Sequence, residues 1–259
     1  MIEHFDGVIF DVEGVLEYQK RVYPGAVELI DRLRSHGTPV RILTNSTLKS
    51  RHTAASKLRA RGFAIQDEQV ITASYATAQY MRQKNIRSCW VMLKGEGLEE
   101  FRDLPQDDEN PEYLVLGDCR DEFNFQNLNK AAKILAGGAK LIVMIPEMID
   151  SSLGEMELTV GAYGRMLEEA LNIEAVYIGK PSRYIFETTL DSMDLQDRDR
   201  VLMVGDKTST DILGAQNAGV RSALIRTGEF SQDGSTADVQ PDYSFDSIEE
   251  LAFFFFQGD

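Results

Sequence analysis

The chain has 259 residues, enough for one large domain or two modest ones, and 43% hydrophobic residues, which excludes disorder as the default state. A formal net charge of -15 argues against general binding to nucleic acid or an anionic membrane, and any site for an anion must carry its own local positive charge. Cys89 and Cys119 are too few for a disulfide framework, the three histidines are scattered, and no signal-like or bilayer-length apolar run is read, so a reduced, cytoplasmic, non-membrane setting is expected.

The first elements read as strand, helix, strand, helix. GVIFDV (7–12) is apolar without alternation, the pattern of a strand buried on both faces. YPGAVELIDRLRSHG (23–37) is a helix with Pro24 at its start, apolar Val27, Ile30 and Leu33 on one face, and Gly37 at its end. PVRILTN (39–45) is a second strand, and SRHTAASKLRARG (50–62) a second helix. Such a βαβα opening favours a parallel sheet.

The middle of the chain has a pattern of its own. ITASYATAQYMRQK reads as a helix, CWVMLK, YLVLGD and LIVMIPE as strands, and LNKAAKILAGG and VGAYGRMLEEALN as helices. Residues 73–176 hold 18 acids against 10 bases, and the rest of the chain is acidic too. This block has enough strands and helices to be a separate α/β unit inserted into a discontinuous core. The expected boundaries are a core at 1–72 plus 177–259 and an insert at 73–176. The end of the chain returns to the opening rhythm: KPSRYIFETTLDSM helical, RVLMVGD a strand, STDILGAQNAG a helix, RSALIRTG and PDYSFD strands, and SIEELAFFFF a terminal helix. A single helix buries one stripe, so several of its four phenylalanines are expected to pack onto the sheet.

Open parallel sheets bind ligands outside the carboxyl ends of their strands. Asp11 and Glu13 end the first strand; Thr44, Asn45 and Ser46 end the second; Asp206 ends RVLMVGD, with Asp211 in the next turn; Lys180 precedes the helix that begins near Ser182. Taken singly, each has an ordinary explanation as a turn or helix-capping residue. Together they suit transfer of a phosphoryl group to a carboxylate. Carboxylate attack on phosphorus splits hydrolysis into two easier steps. Carboxylates such as Asp11 and Asp206 suit a hard cation such as Mg²⁺. A hydroxyl and an ammonium, Thr44 and Lys180, suit the equatorial phosphoryl oxygens. GKPS is not a phosphate-binding loop, because Glu174 and Pro181 stand where glycine and Ser/Thr are required.

The ordered set DVEGV, TNS, GKPS and GDKTSTDI resembles the four motifs of the haloacid dehalogenase (HAD) superfamily of phosphohydrolases. The large insert between TNS and GKPS resembles the nitrophenyl-phosphatase-like, NagD-type branch. The resemblance implies a Rossmann-like parallel sheet flanked by helices, with an α/β cap. It implies Asp11 as nucleophile and Glu13 as general acid/base. It also implies Mg²⁺ held by Asp11, Asp206 and the Glu13 carbonyl, with Asp211 orienting metal-bound water. Thr44 and Lys180 would bind the phosphoryl group with help from Asn45 and Ser46, and the substrate would be a small soluble phosphate ester. Relatives often pair through the cap, which leaves room for a homodimer.

Two features depart from that pattern. Glu13 stands where most phosphatases of the superfamily have aspartate, though its enolase-phosphatase branch also has Asp-x-Glu. The insert loop PEMIDSS (146–152) replaces the Thr-Asn-x-Asp loop often seen in relatives. Asp118, Asn124, Glu147 and Asp150 are candidates for the cap's side of a substrate pocket. A weakened binding or regulatory protein on the same scaffold, or a haloacid dehalogenase, are the alternatives.

Overall fold

In the computed structural model, residues 4–150, 155–195, 197–228 and 238–256 are described. In chain order the elements are β1 (Gly7–Phe10), α1 (Ala26–Ser35), β2 (Val40–Thr44), α2 (Arg51–Arg59), β3 (Val70–Thr72), α3 (Ala73–Gln83), β4 (Cys89–Met92), β5 (Tyr113–Leu116), α4 (Phe125–Ala136), β6 (Lys140–Val143), α5 (Val160–Leu171), β7 (Ala175–Tyr177), α6 (Arg183–Asp191), β8 (Val201–Gly205), α7 (Leu213–Ala218), β9 (Arg221–Ile225), β10 (Tyr243–Phe245) and α8 (Ile248–Phe255). A short antiparallel ribbon, Glu17–Tyr18 with Arg21–Val22, follows β1, and another, Ile149–Asp150 with Glu157–Leu158, follows β6. The chain divides into two compact units, one of Met1–Thr44, Ala54–Ile71 and Lys180–Asp259, the other of Asn45–Thr53 and Thr72–Gly179.

The first unit is built on a six-stranded sheet in the order β10-β9-β8-β1-β2-β3. β1 pairs in parallel with both β8 and β2, and β8 with β9 and β9 with β10 are parallel too. Every residue of β1 and β8 is buried, which is why these strands read as continuous apolar runs. α1 turns Ala26, Leu29, Ile30 and Leu33 into the core, one helical stripe. The terminal helix behaves as expected: Phe254 meets Tyr243 and Phe245, Phe255 meets Phe5, and Phe253 alone is left exposed. Phe10 lies fully buried in this core, and its truncation to alanine is expected to cost ~3–5 kcal/mol.

The second unit carries its own parallel sheet, in the order β7-β6-β5-β4. Asn124 caps α4 by accepting from the Asn127 N–H, and Phe123 stacks on Tyr163 of α5 with centroids 3.8 Å apart. β7 has no counterpart in the sequence reading; it is three residues long and only partly buried, too short and too wet for a clear apolar signal. β3 is hidden for a related reason. Its three residues run directly into α3, and Thr72 caps that helix through the Tyr75 N–H. Among the described residues no helix is long and apolar enough to cross a membrane.

Candidate active site

The register of the core sheet assembles the site. Phe10 on β1 stands opposite Val204 on β8, so Asp11 and Asp206, each just past its strand, come to neighbouring strand ends. The Asp11 N–H still donates to the Val204 carbonyl at 2.9 Å, which fixes the nucleophile candidate to the rigid end of the ladder. After Asp206 the chain makes a π-type turn over Thr208–Ile212 before α7. In that turn the Asp211 N–H donates to the Lys207 carbonyl, and Asp211 Oδ2 accepts from the Lys207 N–H at 3.2 Å. Such turns inside helices recur at functional sites.

Lys180 joins these groups from a distant point in the chain. Its Nζ lies 2.8 Å from Asp11 Oδ1 and 2.6 Å from Asp211 Oδ1, and also donates to the Leu43 carbonyl at 3.4 Å. Asp11, Lys180, Asp206 and Asp211 are 8%, 2%, 1% and 0% exposed, so four ionisable groups share a site almost closed to water. Isolated charges in that setting are prohibitively costly. Burial alone would depress the Lys180 ammonium, but Asp11 and Asp211 outweigh it and hold its pKa above the ordinary lysine range. Burial pushes Asp211 up, with Asp11 adding to the shift and Lys180 opposing it.

Oxygens of Asp11, Asp206 and Asp211 all lie within 4.8 Å of one another, a spacing at which the three can hold a metal ion. Three carboxylates less one ammonium leave two negative charges, which a divalent cation neutralises. The donors are all hard oxygens, which suits Mg²⁺ better than a softer metal. The fit is also steric: a Cβ at Gly14 would overlap the Asp206 carboxylate, so the backbone closes tightly around one side of the cluster.

Glu13 directs its side chain to the ribbon after β1, where Oε1 accepts from the Gln19 N–H at 2.9 Å. Thr44 is half-buried at the end of β2. Asn45 and Ser46 fall with the second unit, and the Asn45 amide donates to Glu147 Oε1 at 2.7 Å. Asp118 pairs with Arg120, Asn124 is the α4 cap, and Asp150 sits exposed in the second ribbon. The sequence reading missed two things: the direct bridging of Asp11 and Asp211 by Lys180, and the Asn45–Glu147 contact. Lys180 reaches Asp11 across 169 residues and Asp211 across 31, and Asn45 reaches Glu147 across 102, all beyond the reach of local spacing.

Comparison with known proteins gives the family. The family model for haloacid dehalogenase-like hydrolases matches residues 8–104, and a second, HAD-hydrolase-like model matches residues 177–251. The chain is 33% identical over 256 residues to a phospholysine phosphohistidine inorganic pyrophosphate phosphatase of Danio rerio, covering 93% of this chain and 91% of that one. Among solved structures it resembles a p-nitrophenyl phosphatase from Archaeoglobus fulgidus, with a TM-score of 0.89, 27% identity, and coverage of 96% of this chain and 98% of that one. It also resembles NagD from E. coli K-12, with a TM-score of 0.86, 26% identity, and coverage of 95% and 98%. The chain belongs to the haloacid dehalogenase-like hydrolases, on the phosphatase side of that family.

Proposed function

We propose that this hydrolase is a Mg²⁺-dependent phosphomonoesterase that works through a phospho-Asp11 intermediate. The observation that carries the reading is the buried cluster of Asp11, Lys180, Asp206 and Asp211 at neighbouring strand ends. When bound, the cation supplies positive charge at the transferring phosphoryl group. Asp11, Asp206 and Asp211 would hold it, and the Glu13 carbonyl would add a further oxygen. Lys180 keeps the Asp11 carboxylate in place and offers a second cation to the phosphoryl oxygens. Thr44, followed by Asn45 and Ser46, supplies neutral hydrogen-bonding groups for the remaining oxygens.

In the first step an Asp11 oxygen attacks phosphorus, the bond to the leaving oxygen breaks, and protonated Glu13 gives that oxygen its proton. In the second step Glu13, now a carboxylate, takes a proton from water. That water attacks phosphorus, releasing phosphate and restoring Asp11. Glu13 reaches about 1 Å further than aspartate, and its Oε1 accepts from the Gln19 N–H at 2.9 Å. The inserted unit is the cap that selects the substrate, a small soluble phosphate such as a sugar phosphate or nucleotide. The name of the Danio rerio relative adds phospholysine, phosphohistidine and inorganic pyrophosphate to the substrates worth testing.

The test is a panel of phosphate monoesters, phosphoramidates and pyrophosphate, assayed for phosphate release with Mg²⁺ and with excess chelator. Release from at least one compound, abolished by chelator, is expected. Full activity in chelator, or silence across the panel with Mg²⁺ present, would overturn the proposal; binding without release would favour the weakened-scaffold alternative.

A further inference from the structure

Asp206 is confined by two bare stretches of backbone. Gly14 has a φ of 84°, and a side-chain carbon there would overlap the Asp206 carboxylate. Gly228 has a φ of 57°, and a carbon there would overlap both Gly14 Cα and Asp206 Oδ2. Both positions demand glycine twice, once for the left-handed backbone and once for space. Gly228 lies in the turn just after β9, more than two hundred residues from Gly14. That turn is tied down on two sides: the Thr227 hydroxyl donates to the Gly14 carbonyl at 2.5 Å, and the Gly228 N–H donates to the Tyr23 hydroxyl at 3.1 Å. Burial pushes the Tyr23 phenol up, so it stays neutral near Asp206.

We infer that the Thr227–Gly228 turn, backed by Tyr23, is a positioning clamp for Asp206: it presses the Gly14 backbone against the carboxylate and sets the direction in which that carboxylate meets a divalent cation. The inference rests on the reading of Asp206 as a cation ligand. A ligating carboxylate that can swing loses affinity because it must be ordered on binding, and loss of outer partners typically weakens metal binding ~10–100-fold. Here the outer partners act by shape. Thr227 holds the Gly14 carbonyl, and Gly14 closes the space into which Asp206 would otherwise turn.

The experiment titrates the metal-free full chain with Mn²⁺, as a Mg²⁺ surrogate, by calorimetry. Wild type, Asp206→Asn, Thr227→Val, Thr227→Ser and Gly228→Ala are compared, each checked by circular dichroism to be folded at the working temperature. Thr227→Val should bind Mn²⁺ about 10-fold more weakly and Gly228→Ala up to ~100-fold more weakly, while Thr227→Ser, which keeps the hydroxyl, stays close to wild type. Wild-type affinity in folded Thr227→Val overturns the clamp, and so does an equal loss in Thr227→Ser and Thr227→Val. If Gly228→Ala fails to fold, the threonine pair still decides. Undiminished Mn²⁺ binding by Asp206→Asn would instead sink the cation-ligand reading on which the clamp depends.

Discussion

At the carboxyl ends of β1 and β8, Asp11 and Asp206 are buried together with Asp211 and Lys180, whereas at the carboxyl ends of β4 and β5 the charges pair in the open. There Lys94 meets Asp121, and Arg120 meets Asp118 and Glu157, with the Arg120 side chain 45% exposed. Both sheets are parallel and both have apolar strands, so architecture alone does not explain the contrast. Energy does. Exposed pairs are cheap to form and are worth about 0–1 kcal/mol each. A buried cluster costs several kcal/mol per ion in desolvation and is weak evidence for stability. Where such a cluster persists, an activity that needs it is the better explanation, and perturbed ionisable groups concentrate at such sites.

That contrast can be broken most severely at the nucleophile. Asp11→Asn should lower kcat at least about 10³-fold while leaving a cooperative thermal transition, because the amide keeps the shape but cannot attack phosphorus. Lys180→Met comes next. It removes the cation between Asp11 and Asp211 and should destabilise the metal-free chain by about 3 kcal/mol in urea unfolding near pH 8. Because the folded pKa of Lys180 is raised, its stabilising contribution is fully present below the unfolded value of about 10.4 and is lost as pH climbs through the folded one. On the alkaline side the gap between wild type and Lys180→Met should therefore stay open until the solution is strongly alkaline.

Glu13→Asp is a milder disturbance. A carboxyl withdrawn by about 1 Å should reduce kcat by up to ~10²-fold, measured at saturating substrate. A gain of orders of magnitude would instead mark Glu13 as a degenerated acid. On the other side of the comparison, Arg120→Ala should change stability by less than about 1 kcal/mol, since its ion pairs are made by a side chain that is 45% exposed. A loss of several kcal/mol there would show that the two sheets do not differ in the way charge is held.

Much of the core was legible because burial on both faces leaves an apolar signature. GVIF and VLMVG read as strands and are buried throughout. The site was half legible. Asp11 and Asp206 announce themselves as acids at the ends of apolar runs, and parallel topology is enough to bring two such ends together. Lys180 was legible from its place before a helix and from the GKPS motif, which the resemblance makes a phosphoryl-binding lysine. Its bonds to Asp11 and Asp211 depend on packing across 169 and 31 residues, which no local pattern encodes. β7 and the ribbon at Glu17–Val22 escaped for a different reason. Each strand there is two or three residues long, so the alternation that identifies a strand has no length over which to appear.

The central claim is that Asp11 is transiently phosphorylated. The most direct measurement is the stereochemical course at phosphorus, using an isotopically chiral thiophosphate ester hydrolysed in heavy-oxygen water once the panel has supplied a substrate. Two successive in-line displacements, first by Asp11 and then by water, predict net retention of configuration. Net inversion would mean that water attacks the substrate directly and would contradict the account.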